Sequence, residues 1–215
     1  MPVEFDLFDT AYNDVLAASS YDEFRNRLTS YNCQKCPRGR ARTHIVLDRG
    51  NPGSKLLIVS ERPGEHEDAI GKAFVGRSGE LLDKIMGSIG LDTNRDLLIV
   101  NVVKCKAEID RAPTTPEIEA CFPYLHRQIE LMKPKVILLL GAVALKYLVK
   151  GRSDEFSMES EAGHLFTVPE YPNTHFMVLY HPAFLLRDPT KKAVMWEHVK
   201  RLRAFLNQHG LSDTP

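Results

Sequence analysis

The most specific chemistry in this chain lies in its four cysteines: Cys33 and Cys36, with two residues between them, and Cys105 and Cys121, with fifteen between them. Four thiolates suit a structural zinc ion, but zinc sites are commonly built from two close-spaced pairs, and only the first pair is close. An iron–sulfur cluster is also held by four cysteines, so spacing alone leaves zinc and cluster both open. A redox role for the Cys33/Cys36 pair leaves the other two thiols unexplained. A reading of buried core cysteines treats the pair as an accident.

Three further segments carry chemistry. Ser60-Glu61-Arg62-Pro63-Gly64-Glu65-His66-Glu67-Asp68 packs four acids into nine residues, and a carboxylate there can orient or deprotonate water. The bland alternative is a solvated acidic loop. Gly71 to Gly79 offers glycines but no Gly-Lys-Ser/Thr ending, which excludes a phosphate loop. Within it Phe74 stands among small residues, as a plug into the core or a platform for a flat ring. His181-Pro182-Ala183-Phe184-Leu185-Leu186-Arg187 sets three bulky apolar residues beside a cation in what reads as a loop. A lone histidine of this kind is commonly structural. An apolar wedge next to a cation, however, is what a protein that pries bases apart presents.

The elements that must hold these residues alternate. Mainly apolar runs at Leu56 to Val59, Leu97 to Val103, Val136 to Leu140 and Phe176 to Tyr180 read as strands, the first as a buried parallel one. Helical spacing appears from Phe8 to Thr29, from a cap at Ser78 to Gly90, from Thr115-Pro116-Glu117 onward, from Gly141 to Leu148, and from Ala193 to Asn207. The expected fold is a three-layer α/β/α single domain around a central, mostly parallel four-stranded sheet, with residues 1–30 as an N-terminal helical extension and 31–210 as the domain. Ligands of such folds bind beyond the carboxyl ends of the strands, in the loops after Val59, Val103 and Tyr180.

Composition sets limits. The chain has 215 residues, 28 basic against 28 acidic side chains, and 43% apolar residues. That length holds a substantial core, and the balance excludes collagen, coiled-coil and disordered classes. The longest apolar run falls well short of the roughly 20 residues a bilayer needs. An N-terminus without a basic segment, together with clustered cysteines, points to a reducing, cytoplasmic setting. Zero net charge means that any nucleic-acid contact uses local positive charge: Lys104, Lys106, Arg111, Arg187, Lys191 and Lys192 supply a candidate strip.

Taken in order, Cys33-x-x-Cys36, Glu61-Arg62-Pro63-Gly64 with Glu67-Asp68, Phe74-Val75-Gly76, Asn101-Val102-Val103-Lys104-Cys105 with Cys121, and His181 to Leu186 resemble the iron–sulfur uracil-DNA glycosylases, family 4 of the uracil-DNA glycosylase superfamily. Each element alone is weak, but the ordered set is specific and spans Cys33 to about Leu206. The resemblance implies a monofunctional hydrolase that frees uracil from single- or double-stranded DNA, acting as a monomer. It implies a [4Fe–4S] cluster on Cys33, Cys36, Cys105 and Cys121. It also implies that Phe74 stacks on the flipped uracil, Asn101 reads its amide edge and His181 donates to the oxygen that gains charge. Glu61 then lines the pocket with Arg62 beside it, and Glu67 handles the attacking water. Leu185 or its neighbours Phe184 and Leu186 fill the vacated stack, with Arg187 and Arg111 against the DNA.

The chain departs from the family pattern twice. Ser60 replaces a glycine, and Arg62 replaces a small residue. The second departure motivates an alternative reading, a catalytically impaired or altered-specificity iron–sulfur DNA-binding relative. Another branch of the superfamily crosslinks to uracil through a histidine inserted after the third cysteine. Lys106 to Arg111 holds neither insertion nor histidine.

Overall fold

The computed structural model describes residue 6 and residues 9–149 and 157–211. Each of the four apolar runs forms a strand: β2 (Leu56–Ser60), β3 (Leu97–Asn101), β4 (Val136–Leu140) and β6 (His175–Leu179). β2, β3 and β4 are buried along their whole length, as parallel strands covered on both faces must be. The sheet has six strands rather than four, because β1 (Arg49–Gly50) and β5 (Leu165–Thr167) add short edges. Its order is β1-β3-β2-β4-β6-β5, parallel through the four inner strands and antiparallel at both edges.

The helices form the outer layers. They are α1 (Thr10–Leu16), α2 (Tyr21–Tyr31), α3 (Arg38–Ala41), α4 (Glu65–Ile70), α5 (Arg77–Gly87), α6 (Thr115–Met132), α7 (Ala142–Leu148), α8 (Met158–Glu161), α9 (Pro182–Arg187) and α10 (Lys192–Gln208). Three expectations change. The single N-terminal helix is two, broken where Ser20 caps α2, and its expected first residue, Phe8, lies outside the described residues. Gly76, not Ser78, is the cap of α5. Finally, α4 and α9 stand where loops were expected.

Strand alternation divides the core in two. Leu57, Val59, Leu98, Val100, Ile137 and Leu139 face one layer, packing with Tyr12, Val15, Phe24 and Leu28 of α1 and α2 and with Ile118, Tyr124, Leu125 and Ile129 of α6. Leu56, Ile58, Ile99, Leu138 and Leu140 face the other, against Leu82 and Met86 of α5, Leu185 of α9 and Val199, Leu202 and Leu206 of α10. The same parity puts Ser60 and Asn101 on the second face, the face that carries Phe74.

One buried ion pair joins the cysteine-bearing segments. Arg38, 1% exposed at its side chain, donates through Nε to Glu117 Oε2 at 2.9 Å and through a terminal nitrogen to the Cys105 carbonyl at 3.3 Å. Glu117 also accepts the Thr114 N–H and two Arg111 nitrogens. The Arg111 hydrogen bonds, helped by Thr114 and Arg38, hold its carboxyl well below the usual carboxylate range. Its stabilising contribution is therefore complete above the unfolded carboxylate value and is lost as pH falls below it. Removing Glu117 would leave the buried Arg38 guanidinium without its counter-charge, at a cost of about 3–5 kcal/mol, whereas without Arg38 the Glu117 carboxylate still has Arg111.

Candidate active site

β2 and β3 end level with one another: Ser60 and Asn101 are register partners at the carboxyl edge of the sheet. Asn101 is 1% exposed, and among the described residues neither its Oδ1 nor its Nδ2 has a hydrogen-bond partner. Its backbone carbonyl is held at 2.7 Å by the Lys104 ammonium, which also binds Gln128 Oε1. Burial pulls the Lys104 ammonium down to about 8. Being buried, Lys104 is part of the scaffold and does not belong to a DNA-facing strip.

His181 approaches this edge as the cap of α9. Its Nδ1 accepts the Ala183 N–H at 3.0 Å, so the proton of the neutral ring sits on Nε2, which points to Ser60 Oγ at 2.9 Å. Burial, and then the charges of Arg187 and Arg62, pull the imidazole down to about 4. The ring is thus neutral at physiological pH. Because it charges less readily folded than unfolded, it lowers stability as pH falls from about 6.5 toward 4.

The Phe74 ring lies 5.9 Å from the His181 ring, tilted by 40°. Its backbone is strained, with φ of +53°, and its surroundings enforce that conformation. The Phe74 carbonyl accepts an Arg49 nitrogen at 2.6 Å, and Arg49 is itself fixed by Asp83 and Thr93. A Cβ on Gly79 would lie 1.8 Å from that carbonyl oxygen, so only glycine permits the approach. Sequence reasoning missed Arg49; a lone cation on a two-residue edge strand gives no local signal.

The acidic segment divides by role. Glu67, expected to handle the attacking water, is instead engaged with backbone: Oε1 accepts the Val75 and Gly76 N–H groups at 2.9 Å each and Oε2 accepts Gly64 N–H at 3.1 Å. It clamps the loop that delivers Phe74. Asp68, which is buried, accepts the N–H groups of Thr43 and His44. Glu61 is the half-buried carboxylate left at the strand end, with Arg62 Nε 3.7 Å away. Arg62 reaches outward to Asp110 at 2.7 Å.

The expected DNA-facing residues separate likewise. As part of α9, Leu185 is fully buried in the second core face, which corrects its reading as a wedge, whereas Leu186 is 36% exposed. Phe184 is half-buried and stacks on Tyr180 at 5.5 Å, and Arg187 is exposed. Arg111 is held by Glu117, which ties its guanidinium to the scaffold.

All four cysteines are free thiols, and they line one small cavity with Leu28, Ala120 and Tyr124. Tyr124 Oη donates to Cys33 Sγ and the Lys104 N–H to Cys121 Sγ, each at 3.3 Å. Burial pushes the Cys121 thiol up to about 11 and raises Cys105 as well. Among the described residues no group of three or more His, Cys, Asp or Glu is gathered as the ligands of a metal ion.

The class is that of a doubly covered, mostly parallel α/β sheet whose strand ends gather an unpartnered carboxamide, an aromatic ring and a neutral histidine. The family model of the Uracil DNA glycosylase superfamily matches residues 47–204, and the chain belongs to that superfamily. It is 37% identical over 175 residues to a type-4 uracil-DNA glycosylase of Sulfurisphaera tokodaii, covering 80% of this chain and 79% of the relative. It is 34% identical over 180 residues to the type-4 enzyme of Thermotoga maritima (83% and 91% covered) and 35% identical over 182 residues to that of Saccharolobus solfataricus (84% of each).

The different placements of the two leucines give a direct expectation. Leu185→Ala should cost about 2–5 kcal/mol of stability by opening a cavity, whereas Leu186→Ala should change it by no more than about 0.5 kcal/mol, as read by urea unfolding.

Proposed function

We propose that this chain hydrolyses the N-glycosidic bond of uracil in DNA, releasing free uracil and leaving an abasic site. The observation that carries the reading is the buried, unpartnered carboxamide of Asn101, set at the strand end beside Ser60 and His181. A base enters such a pocket only after leaving the helical stack, at a cost of a few kcal/mol. Stacking on Phe74 offsets part of that cost. The Asn101 amide donates to uracil O4 and accepts from N3–H; cytosine presents a donor and an acceptor in the opposite order, leaving both amide groups opposed by their own kind.

As the C1′–N1 bond breaks, its electron pair moves into the base and the sugar becomes cationic. The His181 Nε2–H then donates to uracil O2, where negative charge grows. Glu61 offsets the sugar's charge and orients a water, whose oxygen bonds to C1′ as its proton passes to the carboxylate. Leu186 and Phe184 take the place of the departed base in the duplex, and Arg187 meets phosphate. The substrate is uracil-containing DNA, single- or double-stranded.

We assign Cys33, Cys36, Cys105 and Cys121 to a [4Fe–4S] cluster. Four thiols around one cavity, two of them already accepting hydrogen bonds, fit that group. Ligation also supplies the positive charge that makes thiolates of groups whose burial favours the protonated form. When bound, the cluster fastens the three cysteine-bearing segments together and takes no part in the hydrolysis. Residues 1–30 are read as an N-terminal helical extension and 31–210 as the glycosylase unit, acting as a monomer in the cytoplasm, where ligand thiols stay reduced. Among the described residues no helix is long and apolar enough to cross a membrane.

A second reading, impaired or altered turnover, is favoured by Arg62, whose guanidinium stands 3.7 Å from Glu61. Release of free uracil from a uracil-containing oligonucleotide separates the two. The wild type should release it, and Glu61→Gln should be slower by about 10²–10³, the usual effect of losing one charge-stabilising group. An inactive wild type revived by Arg62→Ala would establish the impaired reading instead. For the cluster, elemental analysis should give iron in the brown wild-type protein and little in Cys121→Ala, which should also melt lower. Zinc in place of iron would refute the assignment.

A further inference from the structure

Resting on the uracil-excision reading, we propose that Ser60 is a positioning residue for His181 and an internal competitor for its ring proton: in the empty pocket Nε2–H rests on the Ser60 hydroxyl, and an entering base must take it from there. Three observations support this. The Ser60 side chain is fully buried at the end of β2, so water does not replace it as a partner. His181 Nδ1 is committed to the Ala183 N–H, which leaves Nε2 as the donor and Ser60 Oγ, 2.9 Å away, as its acceptor. Among the described residues Ser60 Oγ has no other hydrogen-bond partner, so the serine can turn aside without breaking a second bond. A residue without a hydroxyl at this position would leave the imidazole donor free.

The competition falls unequally along the reaction. Neutral uracil offers Nε2–H a carbonyl acceptor of about the same strength as the serine it displaces. As the glycosidic bond breaks, the uracil oxygen gains charge, and a charge-assisted hydrogen bond is roughly twice as strong as a neutral one. Ser60 therefore weakens the hold on the neutral base, substrate or released product, by a larger fraction of the bond than it weakens the hold on the transition state. Displacing the serine costs the same absolute amount in both states, so the barrier from bound substrate is left as it was and the gain is weaker retention of the neutral product. Ser60 touches no reacting atom; it acts through His181.

The test combines calorimetry with free uracil and histidine-selective ¹⁵N NMR on the cluster-loaded full chain. In the wild type Nε2 should carry the proton and Nδ1 none, and Ser60→Ala should shift the Nε2–H resonance. The same variant should bind free uracil about fivefold more tightly, the worth of one neutral hydrogen bond. Ser60→Thr, which keeps the hydroxyl, should match the wild type in both. An unmoved Nε2–H resonance, or uracil affinity that is unchanged or weaker in Ser60→Ala, would overturn the proposal. If the wild type neither binds nor releases uracil, it is the excision reading that fails, and the NMR comparison still decides whether Ser60 holds the ring.

Discussion

Two polar atoms of one side chain, Oδ1 and Nδ2 of Asn101, are buried without a partner, and the pocket is arranged around them. Leaving a buried polar group unsatisfied costs about 1–3 kcal/mol, so two on one residue are a standing strain on a fold of ordinary stability. Nothing local relieves it: the register neighbour, Ser60, is engaged with His181. The Asn101 backbone, by contrast, is firmly tied through its carbonyl to Lys104. A side chain unsatisfied on a tied backbone is what the proposed reading of an amide edge requires, the missing hydrogen bonds then coming from the base.

The same economy recurs around the pocket. Phe74 is held in a left-handed conformation by the Arg49 guanidinium, the close approach of Gly79 and the Glu67 clamp on Val75 and Gly76. His181 is fixed at both ring nitrogens. Charged groups such as Glu67 and Arg49 turn out to be braces, and the residues gathered at the strand ends are nearly all neutral: Phe74, Asn101 and the uncharged imidazole of His181. Glu61 is the exception; in the proposed reaction it meets the positive charge of the sugar. On the other side of Asn101, the Lys104 N–H reaches Cys121 while the Lys104 ammonium reaches the Asn101 carbonyl, so one residue joins the cysteine cavity to the base-reading strand.

Much of this was legible in the sequence because it is local. The inner strands announce themselves as runs such as Leu56-Leu57-Ile58-Val59, and both faces of the sheet are covered, so no polar alternation blurs them. β1 and β5, two and three residues long, are too short to carry a periodic signal. Phe184-Leu185-Leu186 looked like a loop wedge because the six-residue helix that contains it is barely more than a turn and a half; helical geometry then turns Leu185 inward and Leu186 outward. Glu67 sits three residues after Gly64 at a helix start, the spacing of a capping box, and that local signal outweighs the suggestion of water chemistry made by a cluster of acids. The Ser60–His181 and Arg49–Phe74 contacts join residues 121 and 25 positions apart, and no pattern along the chain encodes them.

If the Asn101 amide is kept unsatisfied for the sake of a ligand, stability and recognition must oppose each other at that residue. The most direct measurement is the melting temperature of the wild type and of Asn101→Leu, each with and without saturating uracil. Leucine fills nearly the same space with no polar atom, so the variant should melt at or above the wild type and ignore uracil, whereas uracil should raise the wild-type melting temperature. A variant that melts well below the wild type, or one that uracil still stabilises, would contradict the account.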